Sequence, residues 1–160
     1  MQSVITIRKA TDTDAQGILE CLTIAFAPYQ VSYTADAFRD TVLTPETIQQ
    51  RLSSMCAFVA VNDAGEVAGT IAYAMVNAEE GHLRGMAVLP AYQGSGMAGK
   101  LLQAAEAELA ARRCSRITLD TTDPLLRARR FYENHGYRAS GKITDFFGMP
   151  LHEYVKDLRI

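Results

Sequence analysis

Two different spacings of hydrophobic residues alternate along the chain. Short runs rich in Val, Ile, Ala, Leu and Tyr are typical of β-strands, whereas other segments repeat apolar residues every three to four positions, as amphipathic helices do. The runs predict strands at residues 4–8, 57–61, 67–76, 82–89, 116–121, 137–140 and 151–158. Helices are predicted from residue 11 to about 26, after Thr34, after Thr44, over residues 101–113 and from Pro124 to His135. Residues 141–150 are predicted to form a loop.

The lengths of the connections predict how these strands pair. The turns after residues 61 and 76 are too short for crossovers, so the three strands that they join form an antiparallel meander. A helix separates the strand at 82–89 from the one at 116–121, which must therefore cross back and lie parallel in a right-handed unit. The expected fold is α/β (α+β), a single domain over residues 1–160 with a mixed, mostly antiparallel central sheet and helices on both faces.

Two short helices are predicted between residues 34 and 55 from their capping residues. Thr34 can cap the first, and Thr44 precedes a proline at the first helical position, where the missing N–H costs nothing. Ile48, Leu52 and Met55 recur at helical spacing, so they are expected to form the buried face of the second helix.

A glycine-rich turn separates the strand at 82–89 from the helix at 101–113. It contains Gln93, Gly94, Ser95, Gly96, Met97, Ala98, Gly99 and Lys100. The first N–H groups of a helix have no internal partner, and the helix dipole adds partial positive charge there, so the turn is suited to an anion. Glycines also let a phosphate approach the backbone without a β-carbon in the way. The sequence therefore predicts a phosphate-bearing cofactor at this turn.

Two general nucleotide-binding motifs also match this turn. Gly94, Gly96 and Gly99 satisfy the dinucleotide pattern G-x-G-x-x-G, and Asp120 lies where a ribose-binding acid is expected. However, residues 90–93 intervene after the strand, and too little chain follows Asp120 to complete a doubly wound sheet. The turn also satisfies most of the P-loop pattern, which fails at Leu101, where a hydroxyl should hold Mg²⁺.

A third motif fits the turn better. Gln93-x-x-Gly96-x-Ala98 resembles the pyrophosphate-binding signature Q/R-x-x-G-x-G/A of the GCN5-related N-acetyltransferases, the GNAT family. Two further segments are similar to that family, in its order and at its usual separations: Met86-Ala87-Val88-x-Pro90 and Ala128-x-x-Phe131-Tyr132-x-x-x-Gly136-Tyr137. The resemblance spans most of the chain and is thinnest before Cys56.

The resemblance implies that the cofactor is acetyl-CoA. The glycine-rich turn would hold its pyrophosphate, and the backbone of Met86, Ala87 and Val88 would pair with its pantetheine arm. In this family the strands that correspond to 82–89 and 116–121 separate at their ends, and pantetheine enters the gap as a pseudo-strand. Gly85 can permit a bulge that aims an N–H at the thioester oxygen. One departure is Leu125, where many members carry an asparagine that bonds the cofactor.

Each of the basic residues near these motifs has two possible interpretations. Lys100 is either a counter-charge for the cofactor or a solvated side chain. Arg127, Arg129 and Arg130 form a basic cluster from which one guanidinium could reach a cofactor phosphate, although a solvated face is the favoured interpretation.

The aromatic residues outside the motifs are also ambiguous. In this family the region around residues 31–54 often borders the acceptor site. Tyr29, Tyr33 and Phe38 could therefore line the acceptor pocket, but packing of the helices onto the sheet is the favoured interpretation. Phe146 and Phe147 offer an apolar contact for a homodimer through the C-terminal strands, or they close over the acceptor site.

The implied reaction is acetyl transfer to a primary amine by direct attack in a ternary complex. Tyr132 occupies the position where this family commonly keeps a tyrosine as general acid, here for the departing thiolate. Glu79, Glu80 and His82 are candidates for the general base, and the sequence does not choose among them. The acceptor is a small-molecule or peptide amine. The alternative is a non-catalytic acyl-CoA-binding sensor or partner module, which would keep the turn but would not need Tyr132.

Composition and sequence patterns limit the partners, metals and cellular location that we expect. A net charge of −2 disfavours a nucleic-acid partner. The three cysteines are far apart and are expected to be reduced thiols, and the cysteines and histidines show no ligand spacing, so no metal is predicted. The sequence has neither the pattern of a signal peptide nor an apolar run long enough to cross a membrane. We therefore expect a cytoplasmic protein with no membrane partner.

Overall fold

Seven strands form one sheet in the computed structural model, which describes residues 4–158. The strands are β1 (Thr6–Lys9), β2 (Cys56–Val61), β3 (Val67–Met75), β4 (Glu80–Val88), β5 (Arg116–Thr122), β6 (Arg138–Phe146) and β7 (Met149–Asp157). They lie in the order β1-β2-β3-β4-β5-β7-β6. Within these residues β4 and β5 are the one parallel pair, as predicted for strands joined by a crossover helix. The mixed, mostly antiparallel sheet is thus confirmed.

Five α-helices cover the sheet in the described part of the chain. They are α1 (Ala15–Phe26), α2 (Ala35–Val42), α3 (Pro45–Ser54), α4 (Met97–Ala111) and α5 (Leu126–Asn134). Both α1 and α4 pack against β3 and β4, and they do so from the two faces of the sheet. Gly17 of α1 contacts Val67, whereas Gly69 lies against Leu101 of α4. None of the helices within residues 4–158 is long and apolar enough to span a bilayer.

Helices α2 and α3 begin where their capping residues predict, whereas α4 begins at Met97, four residues before its predicted start. The Thr34 hydroxyl accepts a hydrogen bond from the N–H of Ala37, and the Thr44 hydroxyl accepts one from the N–H of Thr47. Each bond satisfies an N–H that the helix itself cannot. In α4 the apolar residues at helical spacing are fully buried: Leu101, Leu102, Ala105 and Leu109. This helix therefore fixes the glycine-rich turn at its N-terminus to the core.

The predicted loop at residues 141–150 is wrong. Strand β6 continues to Phe146, and β7 begins at Met149, so the two form a hairpin closed by Phe147 and Gly148. Both turn residues have positive φ angles, 51° and 89°, as a tight hairpin turn requires. Gly141, which suggested a break, instead lies at φ 93° where the register between β6 and β7 shifts.

An ion pair at the start of the chain predicts a pH-dependent contribution to stability. Both guanidinium nitrogens of Arg8 donate to Asp14, and the Thr11 N–H donates to the same carboxylate at 2.8 Å. Hydrogen bonding to Arg8 lowers the pKa of Asp14, so the stabilisation is present above the ordinary carboxyl range and is lost as the pH falls through the folded-state pKa. Asp14→Asn should destabilise the fold by about 1–3 kcal/mol at about pH 7 and by less at about pH 3.

Urea unfolding at the two pH values measures this difference. Asp36→Asn is the matched control, because Asp36 pairs with Arg39 on an exposed helix surface and should contribute little. A deficit for Asp14→Asn that is the same at both pH values would contradict the role given to the ionised carboxylate.

Candidate active site

A cavity opens where β4 and β5 part. The two strands pair from Glu80–Arg116 to Leu83–Leu119 and no further, although β4 continues to Val88 and β5 to Thr122. The cavity has a volume of about 490 Å³ and contains both diverging segments in its lining. The separation of these strands is the geometry that the family resemblance implies.

A bulge in β4 marks the point of separation. Thr70 pairs with Ala87 but Ala72 pairs with Arg84, so β4 has one residue more than β3 between these pairs. Gly85 lies in the bulge at φ 65°, and a β-carbon built there would collide with the guanidinium of Arg51. The predicted bulge is therefore present, and glycine is required for both its φ angle and the closeness of Arg51.

One edge of β4 remains free beyond the bulge. Ala87 and Val88 pair with β3 on one side, while residues 84–88 have no strand partner on the side of β5 within residues 4–158. Across the gap the buried hydroxyl of Thr121 has no hydrogen-bond partner in the same part of the chain. An extended chain carrying amide groups fits such a gap, because free backbone and hydroxyl groups can bond to it.

The glycine-rich turn presents free N–H groups to this cavity. Gly94 and Gly96 have φ angles of 81° and 88°, and open space surrounds the position of a β-carbon at each. Within residues 4–158 the backbone N–H groups that find no acceptor in this turn are those of Gly94, Gly96, Ala98 and Gly99. These four residues also line the cavity, so the turn fits a pyrophosphate in both shape and hydrogen-bonding capacity.

The other residues predicted at the turn have different surroundings. Gln93 lines the cavity, accepts a hydrogen bond from Arg127 at 2.9 Å and donates one to the carbonyl of Val88. The Ser95 hydroxyl instead caps the turn through the carbonyl of Tyr92. Met97 is buried in the core, and Lys100 is exposed, so neither side chain lines the cavity.

Tyr132, the predicted general acid, belongs to α5 and lines the cavity. The side chain is buried, with its ring 5.4 Å from that of Phe131 and 5.8 Å from that of Tyr137. Its hydroxyl makes no hydrogen bond to any residue from 4 to 158, although the residue lines the cavity. Burial raises the pKa of Tyr132, so the phenol keeps its proton at neutral pH.

Aromatic rings enclose the other end of the cavity. Phe26, Tyr29, Tyr33 and Phe146 line it, whereas Phe38 packs edge-on against Tyr33 outside the lining. The Tyr33 hydroxyl lies 2.7 Å from that of Thr122, which ties the segment after α1 to the end of β5. Tyr29 and Tyr33 therefore both line the cavity and pack the helical segment in place, through Phe26 and Thr122 respectively.

One of the three candidate bases lies at the cavity. His82 lines it, with Nε2 3.2 Å from Asp120 and Nδ1 2.7 Å from the Thr118 hydroxyl. Asp120 also lines the cavity. Glu80 instead pairs with Arg116 at 3.6 Å, and neither it nor Glu79 reaches the cavity lining.

Sequence reasoning missed four charged residues that line the cavity: Asp40, Arg51, Arg84 and Asp120. Only 9% of the surface of Arg51 is exposed, and the sequence suggests Asp120 only as a ribose ligand. A signal for Arg51 was present, because it falls three residues after Ile48, on the apolar face predicted for α3. Arg127, by contrast, contacts the turn through Gln93, while Arg129 pairs with Asp123 at 3.8 Å.

Comparisons with known proteins agree with this geometry. The model of the acetyltransferase (GNAT) family matches residues 18–137. No curated protein matches the chain significantly. Among solved structures, a GNAT acetyltransferase from Staphylococcus aureus Mu50 has a TM-score of 0.79 at 22% identity, covering 98% of this chain and 100% of that one.

Two further solved structures are similar over nearly their whole length. The ribosomal-protein-S18-alanine N-acetyltransferase of Escherichia coli has a TM-score of 0.79 at 18% identity, covering 98% of this chain and 96% of its own. The PaiA N-acetyltransferase of Thermoplasma acidophilum, solved with coenzyme A, has a TM-score of 0.77 at 18% identity, with coverages of 96% and 99%. Because the family model matches most of the chain, the protein belongs to the GNAT family of acetyltransferases, whose acetyl donor is acetyl-CoA.

Proposed function

We propose that the protein transfers the acetyl group of acetyl-CoA to a primary amine by direct attack within a ternary complex. The observation that carries this proposal is one cavity whose lining includes the turn with its free N–H groups, the open edge of β4 and Tyr132. Bound acetyl-CoA would supply a thioester that is already activated toward amines. The protein has to hold it, orient the acceptor and move two protons.

Binding of the donor is assigned to the backbone of two segments. The cofactor-binding residues that we propose are Met86, Ala87, Val88, Gln93, Gly94, Ser95, Gly96, Met97, Ala98, Gly99 and Lys100. Met86, Ala87 and Val88 would pair with the pantetheine amides along their free edge. The turn would receive the pyrophosphate, with Arg127 beside it as a counter-charge held in place by Gln93. Lys100 would act at longer range from the exposed surface of α4.

Proton transfer is assigned to side chains that line the cavity. An alkylamine with a pKa near 10.4 is only about 0.1% neutral at pH 7, so removal of its proton matters. The His82–Asp120 pair would accept that proton, because both side chains line the cavity and His82 Nε2 lies 3.2 Å from the Asp120 carboxylate. As the nitrogen–carbonyl bond forms and the carbon–sulfur bond breaks, Tyr132 would donate a proton to the departing thiolate.

Calorimetric titration with acetyl-CoA tests the donor assignment. The protein should bind acetyl-CoA at micromolar concentration, and NAD and Mg·ATP should not bind. Gly96→Ala should weaken acetyl-CoA binding about 10-fold, because the added methyl group stands where the phosphate approaches the N–H groups.

Gly65→Ala is the matched control for this substitution. Gly65 has a similar φ of 79° and open space around it, but it lies in the turn between β2 and β3 and does not line the cavity. Both variants should lose similar stability, and only Gly96→Ala should lose affinity. Tight binding of NAD or ATP would contradict the proposal, and binding of acetyl-CoA without transfer to any amine would favour a non-catalytic acyl-CoA-binding module.

The domain organisation, cellular location and oligomeric state remain predictions. We propose a single domain over residues 1–160 that acts in the cytoplasm. Homodimerisation through the C-terminal strands is also proposed, because β6 lies at the edge of the sheet and Phe147 at its tip is 51% exposed. For Phe146 we propose the alternative role, closure over the acceptor site, because this residue lines the cavity.

A further inference from the structure

A buried arginine reaches the acceptor end of the cavity from α3. Arg51 is 91% buried, lines the cavity and lies with its guanidinium against Gly85, in the bulge where β4 and β5 part. Gly81 faces Leu109 of α4, so the next residue of β4, His82, points to the opposite face. Helix α3 packs against α1, which covers that opposite face, so Arg51 enters from the same face as His82.

The guanidinium of Arg51 lacks a partner of its own. No side-chain hydrogen bond or ion pair joins it to any residue from 4 to 158. By contrast, Arg8 is paired with Asp14 and Arg84 with Asp40. Burial lowers the pKa of Arg51 to about 10, which still leaves the group charged at pH 7. A buried charge without a partner is unfavourable, and a bound anion would relieve that cost.

The charges around Arg51 leave one positive charge uncompensated. The charged groups that affect the pKa of Arg51 are Arg84 and Asp40, and these two form an ion pair at 3.0 Å. Asp40 therefore neutralises Arg84, and the cluster as a whole carries a single positive charge. A monoanion matches that charge better than a dianion does.

We infer that Arg51 binds a carboxylate of the acceptor, so that the acceptor is a primary amine carrying a carboxylate, as in an amino acid. The planar guanidinium suits a carboxylate because two parallel N–H groups can meet its two oxygens. The bulge next to Arg51 borders the gap that the thioester would enter, which brings this carboxylate close to the reacting amine. Phe26 and Tyr29 line the same end of the cavity and would contact the apolar part of such an acceptor. This inference rests on the proposed acetyl transfer.

Matched pairs of acceptors test it. We would compare L-phenylalanine, L-leucine and L-lysine with phenethylamine, isoamylamine and cadaverine, the amines that lack their α-carboxylate. For at least one pair, kcat/KM should be about 10- to 100-fold higher for the carboxylated member, a difference typical of a charge-assisted hydrogen-bonding pair. Calorimetry of the same pairs with protein saturated in CoA should show the same preference without turnover.

Variants at position 51 assign the preference to the guanidinium. Arg51→Met should abolish the preference, chiefly through a higher KM for the carboxylated member of each pair. Arg51→Lys keeps the charge and should retain part of the preference, which guards against a loss of folding in the first variant. Arg39→Met removes the same charge from the exposed Arg39–Asp36 pair and should leave the preference intact.

The outcomes separate this inference from the proposed function. Acetylation of amines with no preference for the carboxylated member in any pair would overturn the inference and leave the acetyltransferase assignment standing. A preference that persists in Arg51→Met, or a stronger preference for the phosphonate analogue of phenylalanine, would also overturn it. Absence of acetyl-CoA binding and of transfer to every amine would instead refute the proposed function.

Discussion

Replacing Tyr132 by phenylalanine is expected to lower kcat about 100-fold or more and to leave acetyl-CoA affinity nearly unchanged. The substitution keeps the ring that packs against Phe131 and Tyr137 and removes only the hydroxyl, which no residue from 4 to 158 engages. A group without a structural partner is free to act on the leaving thiolate. Because burial raises the pKa of Tyr132, the proton is present at neutral pH. Steady-state kinetics and calorimetry with acetyl-CoA measure the two quantities separately.

Tyr137→Phe is the control for this result. Tyr137 is also buried and packs on Tyr132, but its hydroxyl donates to Glu106 at 2.7 Å and does not line the cavity. Its loss should reduce stability and spare kcat. If Tyr132→Phe instead loses stability and activity to the same degree, the tyrosine is a packing residue and the general acid lies elsewhere.

His82→Gln is expected to lower kcat/KM about 100-fold at about pH 7, with a deficit that shrinks markedly by about pH 9. The reason lies in the acceptor, because the neutral fraction of an alkylamine rises about tenfold per pH unit below its pKa near 10.4. At higher pH the amine needs less help in losing its proton. A purely structural role of His82 would give a deficit that does not depend on pH, so the pH profile is the decisive measurement.

A second histidine–aspartate pair provides the control. His152 lies 2.7 Å from Asp123, outside the cavity lining, so His152→Gln removes a similar histidine–aspartate contact and should leave kcat/KM unchanged. Asp120→Asn should reproduce the behaviour of His82→Gln, since Asp120 is the partner of His82. Full activity of both His82→Gln and Asp120→Asn at about pH 7 would exclude this pair as the base.

The central unit of the fold could be predicted because local signals agree there. The apolar run of β4, the glycines of the turn and the helical spacing of Leu101, Leu102, Ala105 and Leu109 each point to the same strand–turn–helix unit. The separation of β4 from β5 has a weaker local signal, because Gly85 indicates a bulge but not that two strands part there. It was expected only from the family resemblance. In the hairpin of β6 and β7, Gly141 suggested a break, but the sheet accommodates it as an irregularity in register.

The acceptor end of the site was harder to predict because it is assembled from distant segments. Arg51, Tyr33, His82 and Asp120 belong to a helix, a turn and two strands, and no spacing in the sequence links them. Burial of Arg51 depends on the bulge at Gly85, which makes room for the guanidinium. Such a residue is recognisable in advance only as a charge on an otherwise apolar helix face.

The free edge of β4 has a consequence for unwanted strand addition inside the sheet. An unpaired strand edge is normally a template on which another polypeptide can add a strand. Here the unpaired edge at residues 84–88 lies inside a cleft, and the opposite side of that cleft, β5, is already paired with β7 along its whole length. Both sides of the cleft belong to one sheet, so a strand of another molecule would have to enter between β4 and β5 to reach this edge. The protein can therefore keep free backbone groups available to a small molecule that enters the cleft while shielding them from strand addition by its neighbours.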